Sequence, residues 1–300
     1  MPERDSFTSA RRRLPDLSPE QLEASAAILA WLRCSDRRVF HLAGAGGSGK
    51  TEIAVALGSE IHGTQFVAFT AKAASVLRQR SASNATTLHS LLYGPPLVQD
   101  DGELVWTRRH DRPAAQLIIV NECSTISQKL GRDLIRLIRT GIKILVIGDP
   151  FQLPPVDGAP YFSGTPDFTL TEIHRQAAGS QPLQLATRIR EGLPIRAVPF
   201  DIDAVLEADV VLSALNRTRM WGTKTRRKKR GLDTDDPEPG ERVISLKTDH
   251  SRRLFNGSIW TVEQRVRAGR RSPVHEMLLV DDIGERGKSA RMRMAGSVRS

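Results

Sequence analysis

Short aliphatic runs alternate with longer stretches of helical periodicity along the first half of the chain. The runs VFHLAG, FVAFT, LIIV and IKILVIG have the length of buried strands and lack polar alternation. Between them, LSPEQLEASAAILAWLR, KTEIAVALGSEIH, AKAASVLRQR and ISQKLGRDLIRLIR carry apolar residues at helical spacing. Continuous apolar strands alternating with helices predict a parallel sheet with helices on both faces, which is an α/β nucleotide-binding core.

Sequence signals also predict where the first helix begins. Ser18 stands at the N-cap position, Pro19 at the first helical position and Gln21 three residues after the cap. This arrangement predicts a capping box that opens a helix ending near Arg33.

Two regions depart from the strand–helix alternation. Residues 93–113 have an Asp101-Gly102 turn signal between extended residues, with prolines at both ends, and predict a small inserted β-hairpin. Residues 241–300 contain the short strand-like stretches RVISL, SIWTVEQRV and EMLLVDD, with Asn256-Gly257 as a turn. These short strands predict a small barrel or sandwich.

Composition narrows the class of partner and compartment. The 300 residues include 44 Lys and Arg against 34 Asp and Glu, a net charge of +10. This excess favours a nucleic-acid partner, although a merely basic soluble protein is the alternative. Two cysteines exclude a disulfide framework and favour a reducing compartment, and the apolar runs are too short to span a bilayer. We therefore expect a cytoplasmic protein without a membrane partner, with residues 1–16 as a loose basic tail.

The strongest chemical signal is GAGGSGKT, which follows a predicted strand and opens a predicted helix. It fits the phosphate-binding pattern G-x-x-x-x-G-K-[ST]. Its backbone N–H groups and the helix N-terminus favour phosphate, the Lys reaches the β- and γ-phosphates, and the Thr hydroxyl ligates Mg²⁺. The predicted ATP-binding residues of the loop are Gly44, Ala45, Gly46, Gly47, Ser48, Gly49, Lys50 and Thr51.

Three further residues suit phosphoryl transfer, and two of them, Glu122 and Gln152, follow predicted strands. Glu122 is expected to act as the general base for the attacking water. Gln152, in GDPFQLPPV, is a candidate γ-phosphate sensor or a residue of a proline-fixed loop. Arg175, in LTEIHRQ, is a candidate for stabilising the transferring phosphoryl group, although a lone Arg is more often a surface residue.

In their order these motifs resemble superfamily 1B DNA helicases of the RecD/Dda type, many of which are encoded by phages. LSPEQ matches the Q motif, GAGGSGKT motif I, FTAKAASVL motif Ia, IIVNECS motif II, VIGDPFQLPPV motif III and LTEIHRQ motif IV. The resemblance implies motor domain 1A at residues 17–178, with 93–113 as the 1B pin that splits the duplex. It implies the start of domain 2A at 179–240 and an SH3-like 2B module at 241–300.

The resemblance also implies roles for individual residues. Gln21 would read adenine, in addition to capping its helix, and Arg175 would be the equivalent of an arginine finger. Thr51 and the residue at 121 would hold Mg²⁺. KTRRKKR, residues 224–230, would form a basic helical surface that either contacts DNA or faces solvent. The residues implied along single-stranded DNA are Thr70, Lys72 and His89, with Trp106 as a stacking residue or a hairpin core aromatic.

The chain departs from the family pattern at two places. Asn121 replaces the Asp that the family places beside Mg²⁺, so one negative charge near the ion is lost. The strings that resemble motifs V and VI, which complete domain 2A, do not occur before Ser300. The resemblance thus leads us to expect an incomplete enzyme, whose partners would include a separately encoded C-terminal fragment or a replication or recombination protein.

Three functional classes follow from these observations. The first is an ATP-dependent helicase that couples hydrolysis to movement on single-stranded DNA and to unwinding at single-strand/duplex junctions. The second is a weakened module that binds ATP and DNA without unwinding, which Asn121 and the missing motifs favour. The third is a P-loop enzyme for a small molecule, such as a kinase, against which the basic charge and the hairpin count.

Overall fold

The computed structural model describes most of the first two thirds of the chain and parts of the remainder. The described residues are 17–34, 36–95, 97–98, 104–111, 113–174, 181–196, 201–208, 210–232, 237–245, 254, 257–267, 275–280 and 286–291. The predicted tail, the Asp101-Gly102 turn, Asn256 and Arg175 lie outside these residues. The chain divides into two compact units, residues 1–193 and 194–300.

A six-stranded parallel sheet forms the centre of the first unit. Along the chain the strands of this unit are β1 (Val39–Gly44), β2 (Thr64–Ala68), β3 (Thr86–Thr87), β4 (Leu97–Val98), β5 (Leu104–Val105), β6 (Leu117–Asn121), β7 (Lys143–Gly148) and β8 (Phe168–Leu170). The sheet has the order β3-β2-β6-β7-β1-β8, and all its paired strands are parallel. The predicted parallel α/β core is confirmed, although β3 and β8 were not among the predicted strands.

Both faces of this sheet are buried, which explains why its strands lack polar alternation. Leu117 and Ile119 of β6 belong to one apolar cluster, whereas Ile118 and Val120 belong to the cluster on the other side. All four side chains are nearly inaccessible to solvent. Successive side chains of a strand point to opposite faces, so a strand buried on both faces must be apolar throughout.

The first unit has helices along its whole length, and the first five contribute residues to the apolar clusters on the two faces of the sheet. The helices are α1 (Pro19–Cys34), α2 (Lys50–Glu60), α3 (Ala71–Gln79), α4 (Leu88–Leu92), α5 (Gln128–Ile135) and α6 (Gln181–Arg190). Residues of α1, α2 and α3 pack in the first apolar cluster, and residues of α4 and α5 pack in the second. The helix predicted from ISQKLGRDLIRLIR is shorter than expected, because a 3-10 helix, Arg136–Thr140, replaces its last turns.

The inserted hairpin is present, as the sequence predicts. β4 and β5 pair antiparallel, and an isolated bridge between Tyr93 and Arg108 continues the pairing at the hairpin base. Gly94 N–H donates to the carbonyl oxygen of Thr107, and Arg109 N–H donates to that of Leu92, each at 2.9 Å. The base of the hairpin is thereby joined to the end of α4.

The second unit has two helices and an antiparallel sheet. Its helices are α7 (Ile202–Glu207) and α8 (Asn216–Lys229), and its strands are β9 (Arg242–Ile244), β10 (Ile259–Arg267), β11 (His275–Val280) and β12 (Arg286–Arg291). The sheet order is β12-β11-β10-β9, around a small core that contains Trp260, Val262, Met277 and Leu279. The predicted short strands are therefore present as one antiparallel sheet, to which β12 adds a strand that was not predicted. The barrel or sandwich and the SH3-like 2B assignment stay predictions.

Candidate functional site

The predicted site residues follow the strands of the parallel sheet at a single edge. Because all six strands run in one direction, their carboxyl ends share that edge, where parallel α/β sheets usually bind ligands. Across the sheet, the segments that follow β3, β2, β6, β7 and β1 contain His89, Thr70, Glu122, Gln152 and the phosphate-binding loop. The fold therefore arranges the predicted nucleotide and DNA residues in one row.

The loop GAGGSGKT connects β1 to the first turn of α2, as its motif predicts. Gly49 has the left-handed backbone angle φ of 88°, which favours glycine. A Cβ atom at Gly49 would lie 2.1 Å from Nε2 of Gln21, so a side chain there would displace the Gln21 amide. This close approach lets α1 pack directly against the loop.

Lys50 turns back onto its own loop. Its Nζ donates hydrogen bonds to the carbonyl oxygens of Gly44 and Ala45, each at 2.7 Å. Burial of the ammonium lowers the pKa of Lys50, while the carboxylates of Asp149 and Glu122 oppose that shift. The buried cation therefore has two acidic neighbours at the site expected for a triphosphate.

Thr51 and Asn121 meet at the expected metal position. Thr51 Oγ1 donates to Asn121 Oδ1 at 3.3 Å, which brings together the two side-chain oxygens assigned to Mg²⁺. Glu122, next along the chain, has a buried Oε2 atom that no described residue hydrogen-bonds. These oxygen donors suit Mg²⁺, which needs few protein ligands and keeps several waters.

The backbone of Glu122 is strained. Its φ of 60° and ψ of 54° place a side-chain-bearing residue in the left-handed region. Such a conformation costs about 1 to 3 kcal/mol and is concentrated at functional sites. Glu122 therefore combines a strained backbone with a buried Oε2 atom that has no partner in the described structure, and its role as general base stays a prediction.

Asp149, directly after β7, is an additional residue of the site that the sequence interpretation did not assign. It is only 4% exposed, and its Oδ2 accepts from Gly46 N–H of the phosphate-binding loop at 3.1 Å. The same Oδ2 lies 3.2 Å from Nη2 of Arg190 in α6. A carboxylate is therefore bound to the loop amide that would otherwise face phosphate, and an arginine neutralises it.

Gln152 lies in the loop after β7, as predicted, with an exposed side chain. Its Oε1 accepts from Ser124 Oγ at 3.1 Å, and its N–H donates to Asp149 O at 3.1 Å. These contacts bring the loop of motif III next to the residues that follow Glu122. Its role as a γ-phosphate sensor stays a prediction.

The segment before Arg175 is attached to both α1 and the phosphate-binding loop. Glu20 accepts from Thr171 N–H, Thr171 Oγ1 and Glu172 N–H at 2.7 to 3.0 Å. Desolvation raises the pKa of Glu20, but these hydrogen bonds outweigh it, and the net shift is downward. His174 N–H donates to Gly47 O at 2.9 Å. The chain therefore reaches the phosphate-binding loop one residue before Arg175, whose side chain lies outside the described structure.

Gln21 forms the predicted capping box and a further contact. Its Oε1 accepts from Ser18 N–H at 3.0 Å, and Ser18 Oγ accepts from Gln21 N–H at 3.4 Å. Its Nε2 donates to Ser48 O at 3.1 Å, and the residue is 6% exposed. Gln21 thus connects α1 to the phosphate-binding loop. Recognition of adenine by Gln21 stays a prediction. It would require the side-chain amide of Gln21 to share or exchange these hydrogen bonds.

Thr70 and Lys72 lie at the start of α3. Thr70 Oγ1 caps the helix by accepting from Ala73 N–H at 3.1 Å. Both residues are exposed, so a strand of nucleic acid can reach them. Because Thr70 caps α3, it lies beside the first turn of this helix, whose free N–H groups favour phosphate oxygens.

His89 and Trp106 are brought together by the hairpin. Their ring centroids lie 5.4 Å apart, and Tyr93 lies 5.8 Å from His89 and 6.3 Å from Trp106. Burial lowers the pKa of His89, and Lys129 adds to this shift. Trp106 is 44% exposed, so one part of its ring packs and another part can contact a ligand. The two interpretations of Trp106, packing and stacking, are compatible in this geometry.

The basic stretch 224–230 is helical along most of its length, as predicted. Three of its basic side chains contact neighbours within the second unit: Arg226 donates to Ala208 O, Arg227 to Glu241, and Lys229 to Asp203. Some of these basic side chains therefore form hydrogen bonds and ion pairs within the second unit. Contact of the helix with DNA stays a prediction.

No described helix has the length and apolarity needed to cross a membrane. Within the same residues, no three His, Cys, Asp or Glu side chains cluster in a way that could hold a metal ion.

Comparisons with known proteins match most of the chain. The family described as AAA domain, AAA_30, matches residues 16–204. The ATP-dependent RecD2 DNA helicase of Deinococcus radiodurans is 28% identical over 311 residues, which cover 86% of this chain and 40% of that protein. The uncharacterized protein R530 of Acanthamoeba polyphaga mimivirus is 30% identical over 163 residues, covering 46% of this chain and 33% of that protein. The chain thus spans less than half the length of these relatives.

Solved structures of Pif1 helicases share the fold. One describes DNA unwinding at forked dsDNA by two coordinating Pif1 helicases; it has a TM-score of 0.58 and 20% identity, covering 91% of this chain and 75% of that one. Pif1 from Bacteroides in complex with ADP-AlF3 and ssDNA has a TM-score of 0.56 and 19% identity, covering 89% and 73%. The chain therefore belongs to the AAA_30 family of AAA domains, and its resemblance to RecD-like superfamily 1 helicases is confirmed.

Proposed function

We propose that this protein is an ATP-dependent DNA helicase or translocase of the RecD/Dda type. The observation that carries the proposal is the row of predicted site residues at one sheet edge. There the predicted ATP residues that end or follow β1, β6 and β7 adjoin the predicted DNA residues that follow β2 and β3. The RecD2 relative is an ATP-dependent DNA helicase, and Pif1 neighbours were solved with ssDNA, which supports the same class. Residues 17–178 would form domain 1A, residues 179–240 would form the start of domain 2A, and residues 241–300 would form the SH3-like 2B module.

The phosphate-binding loop would hold the ATP phosphates. Lys50 would release the carbonyl oxygens of Gly44 and Ala45 and turn its ammonium towards the β- and γ-phosphates. Gly46 N–H would exchange the carboxylate of Asp149 for a phosphate oxygen, and Arg190 would continue to neutralise Asp149. After this exchange Gly46 N–H still donates to an anion and the Asp149 carboxylate still pairs with Arg190, so no buried charge is left unpaired.

Thr51 and Asn121 would hold Mg²⁺, either directly or through water, and the ion would supply neutralisation of phosphate charge. Glu122 would accept the proton of the attacking water at its buried Oε2, which no described residue occupies. Gln152 would position the γ-phosphate from its anchor on Ser124. Arg175 would stabilise charge on the transferring group.

Single-stranded DNA would pass over the start of α3 and the aromatic group at the hairpin base. Lys72 and the first turn of α3 would bind phosphate, and His89 and Trp106 would stack on bases. The hairpin would separate the duplex at the junction. We infer a cytoplasmic setting from the low cysteine content, two in 300 residues, and a replication or recombination protein as a further partner.

DNA-stimulated ATPase activity tests the proposal. The intact chain should hydrolyse ATP faster when single-stranded DNA is added, and its DNA affinity should fall steeply with salt. Glu122→Gln is the matched control, because it keeps the side-chain shape but removes the base; it should bind ATP and DNA without turnover. DNA binding without turnover by the unchanged chain would favour the weakened module, which Asn121 supports. Turnover without response to DNA would favour a small-molecule enzyme.

A further inference from the structure

An arginine-rich surface lies beside the hairpin base, outside the row of predicted site residues. It consists of two grooves, of about 600 Å³ and about 350 Å³, that share Arg136. The larger groove runs along the hairpin base and the smaller one runs along α5 and the following 3-10 helix. We name this surface the arginine groove, after its five arginines: Arg108, Arg109, Arg132, Arg136 and Arg139.

One carboxylate orients two of these arginines without cancelling their charge. Asp133 Oδ1 lies 3.0 Å from Nη1 of Arg136 and 3.5 Å from Nη1 of Arg108. The other oxygen of Asp133 accepts from the Tyr93 hydroxyl at 2.7 Å. The Asp133 side chain is 10% exposed, whereas the two arginine side chains are 53% and 54% exposed. Asp111 also lines the larger groove and is exposed, so the five arginines outnumber two carboxylates and the surface has a net positive charge.

The other arginines add charge that the described carboxylates do not pair. Arg132 and Arg139 are exposed, and neither forms an ion pair with a carboxylate among the described residues. Within the described part of the chain, Arg132 Nε donates only to a backbone carbonyl, that of Gln128, at 3.1 Å. Arg109 Nε is held by the carbonyl oxygens of Ser90 and Tyr93. Planar guanidinium groups at fixed positions suit phosphate oxygens.

The arginine groove is continuous with the proposed DNA path. Trp106 lines the larger groove, and its ring lies 5.4 Å from that of His89. Arg132, Arg136 and Arg139 follow one another along the chain at three- or four-residue spacing, so they recur about once per helical turn. A strand leaving Trp106 would thus meet successive guanidinium groups rather than a single cation.

We propose that the arginine groove binds the sugar-phosphate backbone of the DNA arm that the hairpin separates from the translocated strand. This inference rests on the proposed function, because it requires a junction at the hairpin. It assigns a second DNA contact to residues that no helicase motif contains. Forked DNA would engage both the row at the sheet edge and the groove, whereas a single strand would engage only the first.

The double variant Arg132→Ala/Arg139→Ala tests the assignment in the full chain. Fluorescence anisotropy would measure affinity for a fork with two arms, for the same duplex with either arm alone, and for a single strand. We expect fork affinity to fall about 10-fold and the salt slope for the fork to fall by about 2, one unit per lost phosphate contact. Affinity for the single strand should change less than about 2-fold.

Arg33→Ala/Arg78→Ala is the matched control, since it removes the same charge from exposed positions on α1 and α3. It should leave the fork preference unchanged. Arg132→Lys/Arg139→Lys should retain the salt slope, because the charge persists. Thermal melting checks that each variant folds.

Three results would overturn the assignment. In the first, the Ala variant keeps its preference for the fork; in the second, single-strand affinity falls as much as fork affinity. In the third, polyglutamate competes as well as DNA at equal charge, which would reassign the groove to an acidic protein. Failure of the proposed function is separate, because it would appear as a wild-type ATPase that DNA does not stimulate.

Discussion

Replacing Asn121 by Asp should restore a negative charge beside the proposed Mg²⁺ site. Asn121 is half-buried at the end of β6, and its Oδ1 lies 3.3 Å from Thr51 Oγ1. Asp has nearly the same shape, so the contact with Thr51 can persist. The variant therefore isolates the effect of one charge in an otherwise unchanged geometry.

The size of the effect follows from two opposing terms. Unit charges about 4 Å apart interact by about 4 kcal/mol at an effective dielectric near 20, and a divalent ion doubles this attraction. Desolvation of the new carboxylate and its repulsion from the buried Glu122 carboxylate, whose Oε2 has no partner in the described structure, return most of that energy. A remainder of about 1.4 kcal/mol would lower the magnesium concentration at half-maximal activity about tenfold.

ATPase activity titrated against magnesium, with and without single-stranded DNA, measures this shift. Asn121→Asp should reach half-maximal activity at about tenfold less magnesium and should raise the rate several-fold at limiting magnesium. In magnesium-free buffer the Asp form should unfold at lower temperature than the wild type, because two adjacent carboxylates then repel one another. Asn121→Leu is the control that removes the acceptor oxygen and keeps similar size. If the Asn and Asp forms saturate at the same magnesium concentration, the charge argument is refuted.

Three other perturbations test neighbouring parts of the site. Lys50→Ala removes the cation of the phosphate-binding loop and should weaken binding of a fluorescent ATP analogue about 10-fold or more; unchanged affinity would contradict its role. Trp106→Ala should weaken single-strand binding by about 1 to 3 kcal/mol, measured by anisotropy, while Trp106→Phe should retain most of it. Burial and the hydrogen bond to Asp133 raise the pKa of Tyr93, so its contribution to stability should persist below the unfolded tyrosine pKa of about 10 and decline above it. Urea unfolding of wild type and Tyr93→Phe across that range should show a weaker alkaline loss in the variant.

The parallel core was predictable because its cause is local in the sequence. Each central strand is apolar throughout, since both faces of the sheet are covered, and turn and capping residues mark the helix starts. Strand β3 has only two residues, and β12 reads RGKSAR, so neither carries a periodic signal. The 3-10 turns at Arg136–Thr140 have the same apolar spacing as the helix predicted there. Hydrophobic pattern predicts elements that are long and buried, and fails for short or edge elements.

The predicted site was incomplete because some of its contacts join distant residues. Asp149 contacts Gly46 across 103 positions and Arg190 across 41 positions of the chain. Arg190 lies at the end of an ordinary helix, and no local pattern distinguishes it. Asp149 could have been predicted, because it directly follows an aliphatic run in the sequence. Glu122 similarly comes one residue after such a run. An acidic residue at a strand end could therefore have been included, whereas its arginine partner required the fold.

The strand register brings the predicted nucleotide residues close to the predicted DNA residues. Ala68 of β2 pairs with Asn121 of β6, and neighbouring strands lie about 4.8 Å apart. Thr70 follows two residues after Ala68, and Glu122 follows directly after Asn121. The cap of the helix proposed to bind DNA is thus one strand away from the proposed general base. Asn121 and Thr70 lie at the same sheet edge. The effect of DNA on the ATPase activity of Asn121→Asp therefore measures the coupling between the proposed Mg²⁺ site and the proposed DNA site. If the magnesium affinity shifts in that variant and the stimulation by DNA does not, the two sites lie on one sheet edge but are not energetically coupled.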